Sequence, residues 1–83
     1  MRKEYYAIYD NLGQKYNVPV LFDSEPLALR WFTGVVNEKQ NDVIYNNPGD
    51  FELHKLGVFD DNTGDLFGEH NKVATALSVK KGE

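Results

Sequence analysis

Apolar and polar positions alternate in blocks along this chain, and the blocks divide it into two strand pairs around one helix. The first block, Glu4 to Asp10 (Glu-Tyr-Tyr-Ala-Ile-Tyr-Asp), is rich in strand-forming residues. It ends in turn chemistry, Asp10-Asn11-Leu12-Gly13, where Asp and Asn side chains bond the nearby backbone and Gly takes a left-handed position. A second strand is expected from about Lys15 to Phe22. Pro19 lies inside it, and a residue without an amide hydrogen belongs on an edge or at a bulge. A helix follows. Ser24 suits the N-cap, and Glu25 and Pro26 suit the first turn. Ala28, Trp31, Phe32 and Val35 then fall at i, i+3, i+4 and i+7, one stripe that Leu27 and Val36 widen. Gly34 weakens this helix by up to about 1 kcal/mol relative to Ala. Asn37-Glu38 is its expected exit.

The stretch Asn37 to Asp50 is a polar connection with Val43-Ile44-Tyr45 as an apolar anchor, closing in Asn46-Asn47-Pro48-Gly49-Asp50 as a tight turn or one turn of 3-10 helix. A strand is expected over about Phe51 to Phe59, a turn at Asp60-Asp61-Asn62-Thr63-Gly64, and a return strand over Asp65 to Glu69. Residues 7–13 (Ala-Ile-Tyr-Asp-Asn-Leu-Gly) echo residues 58–64 (Val-Phe-Asp-Asp-Asn-Thr-Gly), two similar hairpin corners on either side of the helix. The fold class is therefore α+β, an antiparallel sheet of about four strands in ββαββ order with the amphipathic helix on one face. One domain is expected over residues 1–70. The segment 71–83 has a small apolar centre (Val73, Ala74, Ala76, Leu77, Val79) and a charged end, a pattern equally suited to a strand, a short helix or a frayed tail.

Composition narrows the functions open to such a domain. With 83 residues there is room for one domain. The absence of cysteine excludes a disulfide scaffold and any thiolate metal or redox site. The longest apolar stretches fall far short of the roughly 20 residues of a membrane span. The start Met1-Arg2-Lys3-Glu4 leads into tyrosines and Asp10, so no signal peptide is expected and the chain reads as cytosolic. A core this small makes self-association, with a dimer favoured, an expected further source of burial.

Candidate chemistry is sparse. His54 and His70 are the two histidines, and with no supporting motif they read as solvated or sheet-edge residues. No G-x-S-x-G, P-loop or G-x-G-x-x-G pattern is present. The run Asp60 to Asp65 invites comparison with a calcium loop, but such a loop needs Gly at position six and Glu at twelve. Counted from Asp60 those positions hold Asp65 and Asn71, and counted from Asp61 they hold Leu66 and Lys72. No catalytic residue, metal or cofactor is expected.

Charge carries more information. The net charge is −4, which speaks against a general duplex-DNA binder. Residues 1–40 balance five basic groups (Arg2, Lys3, Lys15, Arg30, Lys39) against five acidic ones (Glu4, Asp10, Asp23, Glu25, Glu38). Residues 42–69 hold Lys55 against seven carboxylates (Asp42, Asp50, Glu52, Asp60, Asp61, Asp65, Glu69). The basic residues of the first sixteen lie among four tyrosines, and aromatic rings with nearby cations suit the stacked bases and phosphates of a single strand. Arg2, Lys3, Tyr6, Lys15 and Tyr16 are thus candidate nucleic-acid-binding residues. Asp60, Asp61, Asp65 and Glu69 are candidates for docking a basic protein.

The string Tyr6-Ala7-Ile8-Tyr9-Asp10, Pro19, Glu25-Pro26-Leu27-Ala28-Leu29-Arg30-Trp31-Phe32 and Val36-Asn37 resembles the small non-structural protein of microviruses, the gokushovirus group in particular, which are phages with circular single-stranded DNA. Asn47-Pro48-Gly49-Asp50-Phe51-Glu52-Leu53 followed by Leu56-Gly57-Val58-Phe59-Asp60-Asp61-Asn62-Thr63-Gly64 adds to the likeness, which covers about residues 5–65. The resemblance implies a non-capsid accessory in the host bacterial cytoplasm, binding DNA or aiding the switch to single-strand synthesis and packaging. It carries over no set of binding residues. Two expectations follow: single-stranded phage DNA as partner for the N-terminal surface, or a phage or host replication or capsid protein as partner for the acidic hairpin.

Overall fold

The computed structural model describes residues 2–81. It is α+β, with one antiparallel five-stranded sheet and helices gathered on one face. The strands are β1 (Arg2–Asp10), β2 (Lys15–Tyr16), β3 (Val20–Phe22), β4 (Phe51–Asp60) and β5 (Leu66–Thr75). The helices are α1 (Glu25–Val36), α2 (Asp42–Asn46) and α3 (Ala76–Val79), with a 3-10 turn at Pro48–Asp50. The sheet order is β2-β1-β4-β5, and β3 also pairs with β1.

The strand expected over Lys15 to Phe22 is present in two pieces on one edge. β2 pairs with the end of β1 (Tyr9 with Tyr16, Asp10 with Lys15), and β3 pairs with its beginning (Glu4 with Phe22, Tyr6 with Val20). Between them lies Asn17-Val18-Pro19. Proline cannot complete a ladder, so the edge is interrupted there, which turns four expected strands into five.

Ser24 stands at the N-cap of α1, but its side chain makes no capping hydrogen bond. The buried stripe is Ala28, Phe32 and Val36, with Trp31 and Val35 half-buried beside it. The centre of the apolar face is therefore turned toward Val36 from the expected Trp31/Val35 side. This stripe meets Tyr6 and Ile8 of β1, Phe51 and Leu53 of β4, and Ala76 of α3 in one core. The aromatic rings of Phe22 and Trp31, 5.4 Å apart between centroids, close one side of it.

The C-terminal segment is part of the domain. β5 begins at Leu66 and runs through position 70 to Thr75, so the expected boundary at 70/71 falls inside an element. α3 follows, with Thr75 Oγ1 accepting from the Ser78 amide as its cap and Ala76 fully buried. Asn37 ties this end down. Its Nδ2 donates to the carbonyls of Thr33 and Val79, and its Oδ1 accepts from the Lys81 amide at 2.7 Å.

β4 is irregular on both sides. Its register with β1 shifts between Tyr5 and Tyr6, and its register with β5 shifts at Leu53/His54 and again at Lys55/Gly57. Gly57 is required by close approach: a Cβ there would stand 2.4 Å from the Phe67 carbonyl oxygen. These shifts decide which β5 side chains meet His54.

Candidate functional site

Directly paired residues of neighbouring strands share a sheet face, and neighbours along a strand alternate. Tyr6 and Ile8 point to the helices, so Lys3, Tyr5, Ala7 and Tyr9 point away. Their partners go with them: Tyr16 opposite Tyr9, Leu21 opposite Tyr5, Glu52 opposite Tyr9, His54 opposite Ala7, and Phe59 opposite Lys3. Lys72 joins opposite His54. Among the described residues, no helix lies on this face. Ala7 is nevertheless fully buried, outside the main core, under the side chains around it.

Four rings form the centre of the open face. Tyr9 and Tyr16 lie 4.6 Å apart between centroids, and Tyr9 stacks on His54 at 5.3 Å with planes 29° apart. His70 lies 5.7 Å from Tyr16 and 5.5 Å from His54. A hydrogen-bonded row runs through them. His54 Nε2 is 2.8 Å from Glu52 Oε1, which requires the proton on Nε2 because a carboxylate only accepts. In the neutral ring Nδ1 is then an acceptor, and the Tyr16 hydroxyl donates to it at 3.0 Å. The Tyr16 oxygen in turn accepts from His70 Nε2. Lys72 Nζ closes the far end, 3.1 Å from Glu52 Oε2.

Electrostatics follow this row. The Glu52 carboxyl is held down to about 2, first by its hydrogen bond with His54 and then by Asn11 and Lys72, against the opposing effect of burial. The Tyr16 phenol is pushed up, chiefly by burial, with Tyr9 and Glu52 adding to it. A phenol so placed stays protonated and serves as a hydrogen-bonding link. Among the described residues, no three His, Cys, Asp or Glu side chains converge on a single point.

The five residues expected to bind nucleic acid do not form one surface. Tyr16 sits in the centre of the open face. Lys3 shares that face at the other end of β1 and pairs with Asp23. Arg2 belongs to the helix side, its guanidinium 6.0 Å from the centroid of the Phe67 ring. Lys15, opposite Asp10, lines a groove with Trp31, Val35 and Ile44. Tyr6 is fully buried in the core, its hydroxyl donating to Glu4 Oε1 at 2.8 Å, and offers no ring to a ligand. Every position from Tyr5 to Tyr9 is apolar or aromatic, which conceals the alternation, so the sequence alone leaves open which of these tyrosines face the helix.

The four acidic candidates also separate. Asp60, Asp61 and Asp65 lie at the β4–β5 turn. Asp60 Oδ1 accepts from the Asn62 amide, and Asp65 Oδ2 accepts from Thr63 Oγ1, so both help build the turn. Glu69 lies farther along β5 on the helix side, 3.6 Å from Lys55 Nζ, which also reaches Glu4. His54 and His70, read from the sequence as solvated or edge residues, are brought together by the β4–β5 register. No local pattern encodes that pairing.

The family described as "Phage ORF5 protein" matches residues 3–79. No curated protein and no solved structure matches the chain. On a match that spans nearly its whole length, the chain belongs to the phage ORF5 protein family.

Proposed function

We propose that this phage protein is a non-enzymatic accessory that binds single-stranded DNA on the open face of its sheet. One observation carries the reading: Tyr5, Tyr9, Tyr16, Phe59 and the two histidines share a face that, among the described residues, no helix covers. Stacking of a base on such a ring is worth roughly 1–3 kcal/mol and tolerates any sequence. The acidic composition no longer opposes this. Glu4, Asp10, Asp60 and Glu69 belong to the helix side by register or by pairing, and Glu52 is the strand carboxylate on the open face among the described residues. The resemblance to microvirus non-structural proteins supports a role in single-strand synthesis or packaging inside the host bacterium.

The test is fluorescence anisotropy with a labelled oligothymidylate. Lys3 and Lys72 are the cations of the open face, and two phosphate contacts give a log–log salt slope of about −1.4. Tyr9→Ala is expected to weaken binding by about one to two orders of magnitude. Lys15→Glu, on the groove side, is expected to leave it within about twofold. No binding near 50 mM salt, or a Tyr9→Ala protein that binds like the wild type, refutes the reading.

A second reading rests on the gathering of Asp60, Asp61 and Asp65 at one end of the sheet, a surface suited to a basic replication or capsid protein of phage or host. Co-purification from infected cells with the wild type and with Asp61→Lys/Asp65→Lys separates the two. An unchanged set of partners removes this reading.

A further inference from the structure

We propose that His54 Nδ1, His70 Nε2 and Tyr16 Oη together bind a divalent transition-metal ion of the zinc class. Three features of the open face support this, and none depends on nucleic acid. The first is distance. The two imidazole nitrogens are 3.5 Å apart. A Zn²⁺ ion about 2.1 Å from each would subtend an angle of about 115°, close to tetrahedral. The Tyr16 oxygen stands 3.0 Å from His54 Nδ1 and against His70 Nε2, so a rotation of the phenol away from His70 makes it a third donor to the same ion.

The second feature is the state of the ligands. Glu52 accepts a hydrogen bond from His54 Nε2–H, leaving the Nδ1 lone pair directed at the site. A carboxylate behind a ligating histidine, fixing its tautomer and ring orientation, is the arrangement that metal sites use. Lys72 holds the other carboxylate oxygen at 3.1 Å, which keeps Glu52 itself turned away from the ion. Binding needs two changes: His70 moves its ring proton from Nε2 to Nδ1, which frees the Nε2 lone pair, and the Tyr16 hydroxyl gives up its bond to His54 and turns its oxygen to the ion, releasing its proton to solvent as the cation lowers the phenol's affinity for it.

The third feature is access. His70 is exposed, so ions reach the site from solvent and a fourth position stays open to water. The donor set of two imidazoles and a phenol oxygen favours zinc or copper over magnesium, which prefers oxygen ligands and keeps its waters.

The experiment is isothermal titration of tag-free protein with zinc chloride at neutral pH, beside a magnesium titration. The expected result is one Zn²⁺ per chain and no heat from Mg²⁺. His70→Ala, and independently His70→Asn, are expected to weaken zinc binding at least tenfold while leaving the circular dichroism spectrum unchanged, because His70 is exposed. Glu52→Gln retains the three donors and is expected to weaken binding by about tenfold through loss of the orienting carboxylate. Absence of zinc binding overturns the proposal, as does equal affinity in the wild type and both His70 variants.

Discussion

Tyr6 is buried on the helix side of β1 with its hydroxyl bonded to Glu4, and burial together with this bond makes the protein's stability sensitive to alkali. The phenol is pushed well above its usual value of about 10, first by burial and then by the bond to Glu4 and the charge beside it. Folding therefore favours the neutral form. The contribution is complete below about pH 10, where Tyr6 is neutral in both states, and declines as pH rises and only the unfolded chain ionises. Urea unfolding midpoints are expected to fall between pH 9 and 11 more steeply for the wild type than for Tyr6→Phe. At pH 7 the order reverses, with Tyr6→Phe less stable by about 1 kcal/mol for the lost bond. Equal alkaline declines in both proteins would refute the assignment. Tyr5 and Tyr9, one and three positions away, face outward, so one strand supplies both a core phenol and the rings of the open face.

At the scale of elements, α1 is the part most sharply written in the sequence. Its cap position, its first-turn Pro26 and its apolar stripe lie within one continuous stretch, so local pattern suffices. Gly34 confirms how little tertiary context restricts part of this helix: a Cβ added there would have no atom within 4 Å. Gly34→Ala is expected to raise stability by up to about 1 kcal/mol, read as a higher urea midpoint with an unchanged slope. An unchanged or lowered midpoint would show that the position has a packing role. The edge interruption at Pro19 was legible for the same reason, since proline acts on its own ladder. The C-terminal segment was not. Val73 to Val79 has no period of its own, and its path is set by the ladder with β4 and by Asn37, forty or more residues away. The His54–His70 meeting is another case of this kind. It depends on two register shifts in β4, and a shift of one residue would put His70 on the other face.

For the whole molecule, the two edges of the sheet differ, and the difference bears on self-association. The β2/β3 edge is broken by Asn17-Val18-Pro19, a device that discourages strand addition. β5 is ten residues long, contains no proline and, among the described residues, pairs only with β4. Leu66 and Phe67 at its start are 65% and 50% exposed. A second copy adding antiparallel to β5, about an axis normal to the sheet, would keep both sets of helices on one side. The open faces would then run together across the seam, with His70 and Lys72 of each copy beside it. We expect sedimentation equilibrium to show a reversible increase toward twice the 9.5 kDa chain mass as concentration rises. A mass fixed at that of one chain up to millimolar concentration would refute pairing through β5. The same series with oligothymidylate distinguishes what the seam is for. If the joined face is the binding surface, DNA long enough to cross it shifts the equilibrium toward the dimer, because a ligand that binds one state better shifts the population toward that state. DNA confined to one copy leaves the equilibrium where it was.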